Sequence, residues 1–550
     1  MLFNSYSFIF LFLPLTCLGY GLIGMLRNRK ASLTWLVACS IAFYGAWNPV
    51  NILIIFPSIA INYLIALSIR RSVARGDSGQ RHATFLLIMG LVFNLSYLGY
   101  FKYKNFFLDT TNLAFGTDFV PINLILPLGI SFITFQKIAF LVDVRSETIR
   151  NFDIYDFFVF VFFFPQLIAG PIVHYREMMP QFEKISYRFN LSDVAVGLSL
   201  FAIGLFKKVV LADSVATYVA PVFGAADHGH SIDFFTAWIG ALAYTFQIYF
   251  DFSGYSDMAI GLGRLFGIHL PMNFNSPLKA SNIIDFWGRW HVTLTRFLTA
   301  YVYTPVMMNL TRKRMTDGKP VFGRGKPTAA IYALLVVWPT MLTMFLSGFW
   351  HGAGFTFLLW GSLHGVYICI NHAWRIWRPQ WDKAAYERIA GPLGFLITFI
   401  AVVFGMVLFR ALSLAAAGHV LRGMIGLDGI SLPQSVLGHI SVLSPLLATL
   451  GIEGNFNSGS EFVGAVTWLA ALTVIALAAP NSLEILARFE PALLFKSLRH
   501  KDSDIGTDWW HRVRTLQLQF TAPWALFIAS AFVIGMFGLN RVSEFLYWQF

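Results

Sequence analysis

Residues 347–354 read Ser347-Gly348-Phe349-Trp350-His351-Gly352-Ala353-Gly354, and they join two apolar runs, 329–346 and 355–373. Each run is long enough, or nearly so, for the hydrocarbon layer of a bilayer, so the pair reads as two successive membrane helices. Polar and ionisable groups are costly at that depth and mark function when they are kept. The glycines around His351 leave the backbone open to a ligand or a second helix. The plain alternative is a structural histidine hydrogen-bonded to a neighbouring helix. The rest of the chain weighs between these two readings.

The composition places those runs in a larger pattern. The chain is 57% hydrophobic and 12% charged, and its mean hydropathy is +0.63. A soluble domain cannot hide that much apolar surface, so the class is an all-α polytopic membrane protein. The formal charge of +12 does not point to nucleic acid, because membrane proteins gather Lys and Arg in their cytoplasmic loops. Cys17, Cys39 and Cys369 all lie in apolar runs, which implies neither a disulfide framework nor a metal site. The start, Met1-Leu2-Phe3-Asn4-Ser5-Tyr6, lacks the basic region of a signal peptide and is expected to be retained.

Basic loops set the sides. Arg27, Arg29 and Lys30 follow run 7–26, and Arg70, Arg71, Arg75 and Arg81 follow the pair 33–46 and 51–69. Both clusters fall on the cytoplasmic side by the positive-inside rule. Runs 84–101 and 122–142 go out and back. Run 155–173 has basic residues on both flanks and contains Pro165, Gly170 and Pro171. It reads as a re-entrant segment, allowed where protein shields the irregular backbone. Run 284–308 is the second re-entrant candidate, since Asp285, Arg289, His291 and Arg296 are too many charges for a lipid-facing helix. Counting onward gives about twelve crossings plus two re-entrant segments, with both termini outside. Three parts are expected: a core over 1–412, an extracytoplasmic loop region over 413–461 with short surface helices, and C-terminal membrane helices over 462–550.

The second polar island runs from Asp285 to Phe297. On one continuous helix Arg289 and Arg296 share a face, and His291 lies about 160° from Arg289. A cationic face suits a phosphorylated cofactor; the alternative is snorkelling arginines at lipid phosphate. Asp251, Ser253, Tyr255, Ser256 and Asp257 form a further polar cluster. It reads better as a hydrogen-bonded helix–helix network than as a tunnel lining. Lys207, Lys208 and Arg264 are expected at interfaces or paired with such acids.

Both islands resemble one family. The stretches "FWGRWHVTLTRFL" (286–298) with "YVYTP" (301–305), and "SGFWHGAGFTFLLWGSLHG" (347–365), look like the signature regions of membrane-bound O-acyltransferases. "FNSYSFIFLFLPL" (3–15), "PLGISFITFQKIAFLVDV" (127–144) and "FFPQLIAGPIVHY" (163–175) point to the bacterial branch with the alginate O-acetyltransferases and teichoic acid D-alanyl transferases. The resemblance covers roughly residues 1–412. It implies a ring of helices around a central tunnel, with His351 as the catalytic histidine and His291 as the second family histidine. Thr299-Ala300 stands where relatives usually carry Arg-Asp, and 306–314 departs from the usual glycine-rich turn. These departures bear on the acceptor subclass rather than on the acyl chemistry.

Acyl transfer from a thioester to a hydroxyl needs a base and a group that steadies the oxyanion. A neutral imidazole is a competent base, and His291 would orient the donor or polarise its carbonyl. Arg289, Arg296, Trp290 and Trp350 are the candidate donor-binding residues. The resemblance implies acetyl-CoA, or another acyl thioester, as donor substrate, with no permanently bound cofactor. It also implies a polysaccharide acceptor at the cell envelope, a periplasmic or extracellular acyltransferase partner, and a place among the lipids of the bacterial inner membrane. A lipid or protein O-acyltransferase of the same family is the first alternative. A secondary transporter is the second, although the inverted repeats usual for transporters are not found. The chain ends Phe545-Leu546-Tyr547-Trp548-Gln549-Phe550. An interfacial aromatic belt is one reading of this tail. The other is an acyl relay through Tyr547, because the tail resembles tyrosine-centred C-terminal motifs in this branch. A phenol with a pKa near 10 leaves more readily than an alcohol.

Overall fold

The computed structural model describes residues 1–122, 124, 126–185, 189–323, 325–379, 382–439, 449, 452–456, 459–495, 517–539 and 545–546, and these are overwhelmingly helical. Six helices are long and apolar enough to cross a membrane: Val50–Val73, Asp77–Phe115, Leu191–Ala216, Ala329–His351, Arg388–Arg410 and Gly459–Ala478. Phe8–Gly24 and Ala522–Gly538 are shorter apolar helices. The remaining long runs of the sequence count fall in the helices Arg29–Gly45, Ile130–Arg145, Phe234–Leu265 and Phe355–Trp377.

The fold is organised around Phe234–Leu265. Asp233 caps its start by accepting from the amides of Phe235 and Thr236, which offsets two of the orphan donors at a helix N-terminus. Its 32 residues span about 48 Å at the α-helical rise. From Ala237 to Leu265 nearly every side chain is buried. Such a helix belongs in the interior of a large helical protein rather than on its rim. Its tightest partner is Leu191–Phe206. A β-carbon on Gly204 would meet the Gly254 carbonyl oxygen at 2.5 Å, and one on Gly261 would meet that of Gly197 at 2.5 Å. Two backbones can approach this closely only where both carry glycine.

The two segments that break the side count are irregular. Run 155–173 forms a nine-residue helix, Ile154–Phe162, then a single turn, Phe164–Leu167, and then extended chain to the helix Tyr175–Glu183. All residues from Val159 to Val173 are buried, so protein shields this backbone. Run 284–308 is not one continuous helix either. Ile283–Arg289 stops at Trp290, whose ψ is 127°, and His291 takes a left-handed φ of 43° before Val292 starts the next helix. The helical-wheel relation between Arg289, His291 and Arg296 therefore does not hold.

The segment 413–461 carries helices Leu414–Met424 and Gln434–His439. It also holds two short strands, Ile430–Pro433 and Ile452–Phe456, paired in parallel. Nothing in the sequence reading anticipates these strands, which lack the clear alternation of a half-buried strand.

Candidate active site

His351 is the last residue of its helix, and Gly354 precedes the helix Phe355–Trp377 that turns back beside it. The two helices touch at Gly348 and Gly361. A β-carbon on Gly348 would lie 2.2 Å from the Phe357 carbonyl oxygen, and one on Gly361 would lie 2.3 Å from that of Met344. This close crossing brings Trp360 against His351, with ring centroids 5.1 Å apart.

His291 arrives from the opposite wall through the break at Trp290–His291. The extended stretch after Gly267 holds that break open. Asn275 N donates to the Arg289 carbonyl at 2.9 Å, and Val292 N donates to the Asn273 carbonyl at 2.9 Å. The Asn273 side-chain oxygen faces His291 Nδ1 at 3.0 Å and accepts from Thr293 Oγ1 at 2.9 Å. Its amide donates to Ser256 Oγ on the central helix at 3.2 Å. Asn273 thus ties the His291 ring to the core of the fold. A hydrogen bond at Nδ1 fixes which ring nitrogen carries the proton, and so leaves the lone pair on Nε2.

The two imidazole centroids stand 6.2 Å apart although 60 positions separate them in the chain. Both line one narrow cavity, together with Ile248, Phe252, Trp290, Trp360, Met406 and Phe409. Phe252 meets His291 edge to face at 4.8 Å, and Phe409 meets His351 at 5.2 Å. The walls are apolar and aromatic, which excludes bulk water and strengthens any charge interaction inside.

Trp290 lines the cavity. Trp350 packs behind it, stacked on Phe135 at 5.1 Å and edge-on to Phe132 at 5.2 Å. Arg289 pairs with Asp285 at 2.8 Å, whereas Arg296 pairs with Glu177. The two guanidinium groups thus answer separate acids instead of forming one cationic face. Tyr547 lies outside the described residues, but Phe545 and Leu546 beside it are described. Phe545 stacks on Tyr255 at 4.6 Å and meets Phe252 at 5.8 Å, and the Leu546 amide donates to Asp251 at 3.2 Å.

Several cavity residues escape sequence reasoning. Phe252, Met406 and Phe409 are ordinary apolar residues in apolar helices, and no local signal separates them from core. Asn273 left a trace: it stands in Pro271-Met272-Asn273-Phe274-Asn275, a polar pair between apolar runs. In the cavity wall and around it, Trp287 Nε1, Trp360 Nε1, Ser347 Oγ and both nitrogens of His364 are buried with no hydrogen-bond partner among the described residues. Natural interiors hold few such atoms.

Comparison with known proteins places the chain in a family. The profile of the MBOAT, or membrane-bound O-acyltransferase, family matches residues 80–316. A peptidoglycan O-acetyltransferase of Helicobacter pylori is 42% identical over 460 residues, covering 78% of this chain and 81% of that one. The chain belongs to the membrane-bound O-acyltransferase family. A probable alginate O-acetylase of Pseudomonas aeruginosa is 39% identical over 474 residues, covering 83% and 82% of the two chains. A teichoic acid D-alanyltransferase of Bacillus subtilis is 28% identical over 291 residues, 52% of this chain and 70% of that one. As a member of this family the protein is a multi-pass membrane acyltransferase.

Proposed function

We propose that this acyltransferase takes an acetyl group from a cytoplasmic thioester, acetyl-CoA, and passes it across the inner membrane for O-acetylation of a cell-envelope or secreted polysaccharide. The observation that carries this reading is the pair of histidines, 6.2 Å apart by ring centroid, on one small aromatic cavity. Ile248, Phe252, Trp290, Trp360, Met406 and Phe409 close tightly around the two rings, which favours a short acyl group between them. The peptidoglycan and alginate acceptors named for the relatives favour a polysaccharide.

His351 acts as general base. It takes the proton of the attacking hydroxyl while that oxygen bonds to the thioester carbonyl carbon. The carbon–sulfur bond then breaks, and the leaving thiolate takes the proton from the imidazolium. His291 orients or polarises the carbonyl, held through Nδ1 by Asn273. Trp290 and Trp350 flank the reacting end of the donor, and Arg289 and Arg296 serve its phosphates by exchanging their acidic partners for them. Both termini lie outside. Tyr547 is the first acceptor, and a periplasmic acyltransferase finishes the transfer to polymer. The tail's approach to Phe252, itself a cavity wall, supports that route.

The test uses the full chain purified in detergent. Acetyl-CoA should lose its acetyl group, read as free thiol, and cells should carry acetylated polymer. A wild-type protein that releases no thiol from acetyl-CoA would sink the donor assignment. Tyr547→Phe keeps the aromatic ring and deletes the nucleophile. Normal polymer acetylation in cells with that variant returns the tail to a belt.

A further inference from the structure

We infer that Lys102 and Tyr103 are positioning residues for His351, an inference that rests on the reading of His351 as the base. The helix Ala329–His351 stops at the chamber, so the carbonyls of its last turn have no partner within the helix. Water commonly meets such groups at a surface, and a left-handed glycine often does so at a helix end. The glycine arrangement is not used here, since Gly352 is extended and its amide bonds back to the Gly348 carbonyl. Another helix supplies the donors instead. Lys102 Nζ donates to the Trp350 carbonyl at 2.6 Å and to the His351 carbonyl at 3.0 Å. Tyr103 Oη donates to the Phe349 carbonyl at 2.8 Å. Three successive carbonyls, ending with that of His351 itself, are satisfied from one place.

Consecutive residues of an α-helix point about 100° apart and would not reach the same target. The helix Asp77–Phe115 is interrupted by a π-turn over Gly99–Tyr103, and Lys102 and Tyr103 are its last two residues. Such turns recur at functional sites because they re-aim side chains. Tyr103 also stacks on Phe349, with centroids 4.2 Å apart and planes within 17°. Lys102 stands 5.9 Å from the Trp350 ring.

A cap for stability alone could be built from neutral donors. An ionisable group within a membrane helix is costly, and its default reading is function. Lysine brings its N–H donors to the carbonyl end of the helix, at the residue that holds the base. Removing it frees the Trp350 and His351 carbonyls and lets the imidazole drift relative to His291. A misplacement of about 1 Å costs on the order of a hundredfold in rate.

The experiment measures thiol release from acetyl-CoA by the detergent-purified full chain. Lys102→Met should lower kcat about thirty- to a hundredfold and leave the KM for acetyl-CoA within about twofold. Lys102→Arg keeps donors for both carbonyls and should recover the rate to within about fivefold of wild type. Tyr103→Phe should lower kcat about three- to tenfold. Lys104→Met, whose ammonium lies over the Tyr100 ring instead, should change neither constant. If Lys102→Met does not fold, Lys102→Arg and Tyr103→Phe carry the test. The inference is overturned if kcat stays within about twofold of wild type in both Lys102→Met and Tyr103→Phe. It is equally overturned if the change falls on KM alone, or if folded Lys102→Arg is as slow as Lys102→Met. An inactive wild type, or an active His351→Ala, would remove the base itself. An active wild type, a dead His351→Ala and an unimpaired Lys102→Met would remove only the positioning role.

Discussion

Two buried polar regions lie on the central helix Phe234–Leu265, and they are built on opposite plans. Around Asp251 and Asp257 every charge is answered. Lys208 bonds Asp251 and Asp213, each at 2.7 Å, and its side chain is 3% exposed. Lys207 bonds Asp257 at 2.7 Å, and Ser482 Oγ donates to the same carboxylate at 2.6 Å. On the same helix Ile248 and Phe252, the latter next to Asp251 in the chain, open on the histidine chamber. There the walls are aromatic and aliphatic around two imidazoles, and no Lys, Arg, Asp or Glu is among the described lining residues. Desolvated charge is tolerable only when paired. The first region pairs its charges across helices, and the second sets two imidazoles among uncharged walls.

Substitutions can break that contrast, and the largest effect belongs to the chamber. His351→Ala should lower acetyl transfer by about 10²–10⁴ in rate, the usual share of a general base. The thermal unfolding midpoint in detergent should hardly move. Transfer at the wild-type rate by the purified variant would dismiss His351 as the base.

Lys208→Met should do the reverse. Removing one partner of a buried pair strands Asp251 and Asp213, at a cost of about 3–5 kcal/mol. Unfolding by heat or denaturant should report that loss, while thiol release per folded molecule stays within about threefold. A variant as stable as wild type would show that the cluster does not brace the helices. A folded variant with no activity would place the cluster in the chemistry.

Asn273→Ala sharpens the contrast from between the two regions. It deletes the hydrogen bonds to His291 and Thr293 and the tie to Ser256. The rate should fall about tenfold, as expected for about 1.4 kcal/mol of lost orientation, with a modest drop in stability. An unchanged kcat would mean that His291 needs no anchor, or that it plays no part in the step.

The chain's own letters settled a good deal. Apolar runs fixed a polytopic helical membrane protein, because only helices and closed barrels satisfy a backbone in lipid. His291 and His351 stood out because histidine is rare in such runs, and the motifs around them carried the family. Asp251 and Asp257 announced a polar network for the same reason. What the letters could not contain is distance. The break at Trp290–His291 depends on hydrogen bonds from Asn273 and Asn275, made across a turn that periodicity does not see. Arg289 and Arg296 looked like one cationic face because a helical wheel assumes an unbroken helix. Phe252, Met406 and Phe409 read as core because walls of a reaction chamber and walls of a core use the same residues. Nothing in the sequence singles out Lys102, since its partners are carbonyl oxygens about 250 positions away. Sequence pattern records what each segment prefers locally, whereas the 6.2 Å between the two imidazoles follows from how the helices cross. Close crossings such as Gly348 against Gly361 set that separation, and they exist only once the bundle has packed.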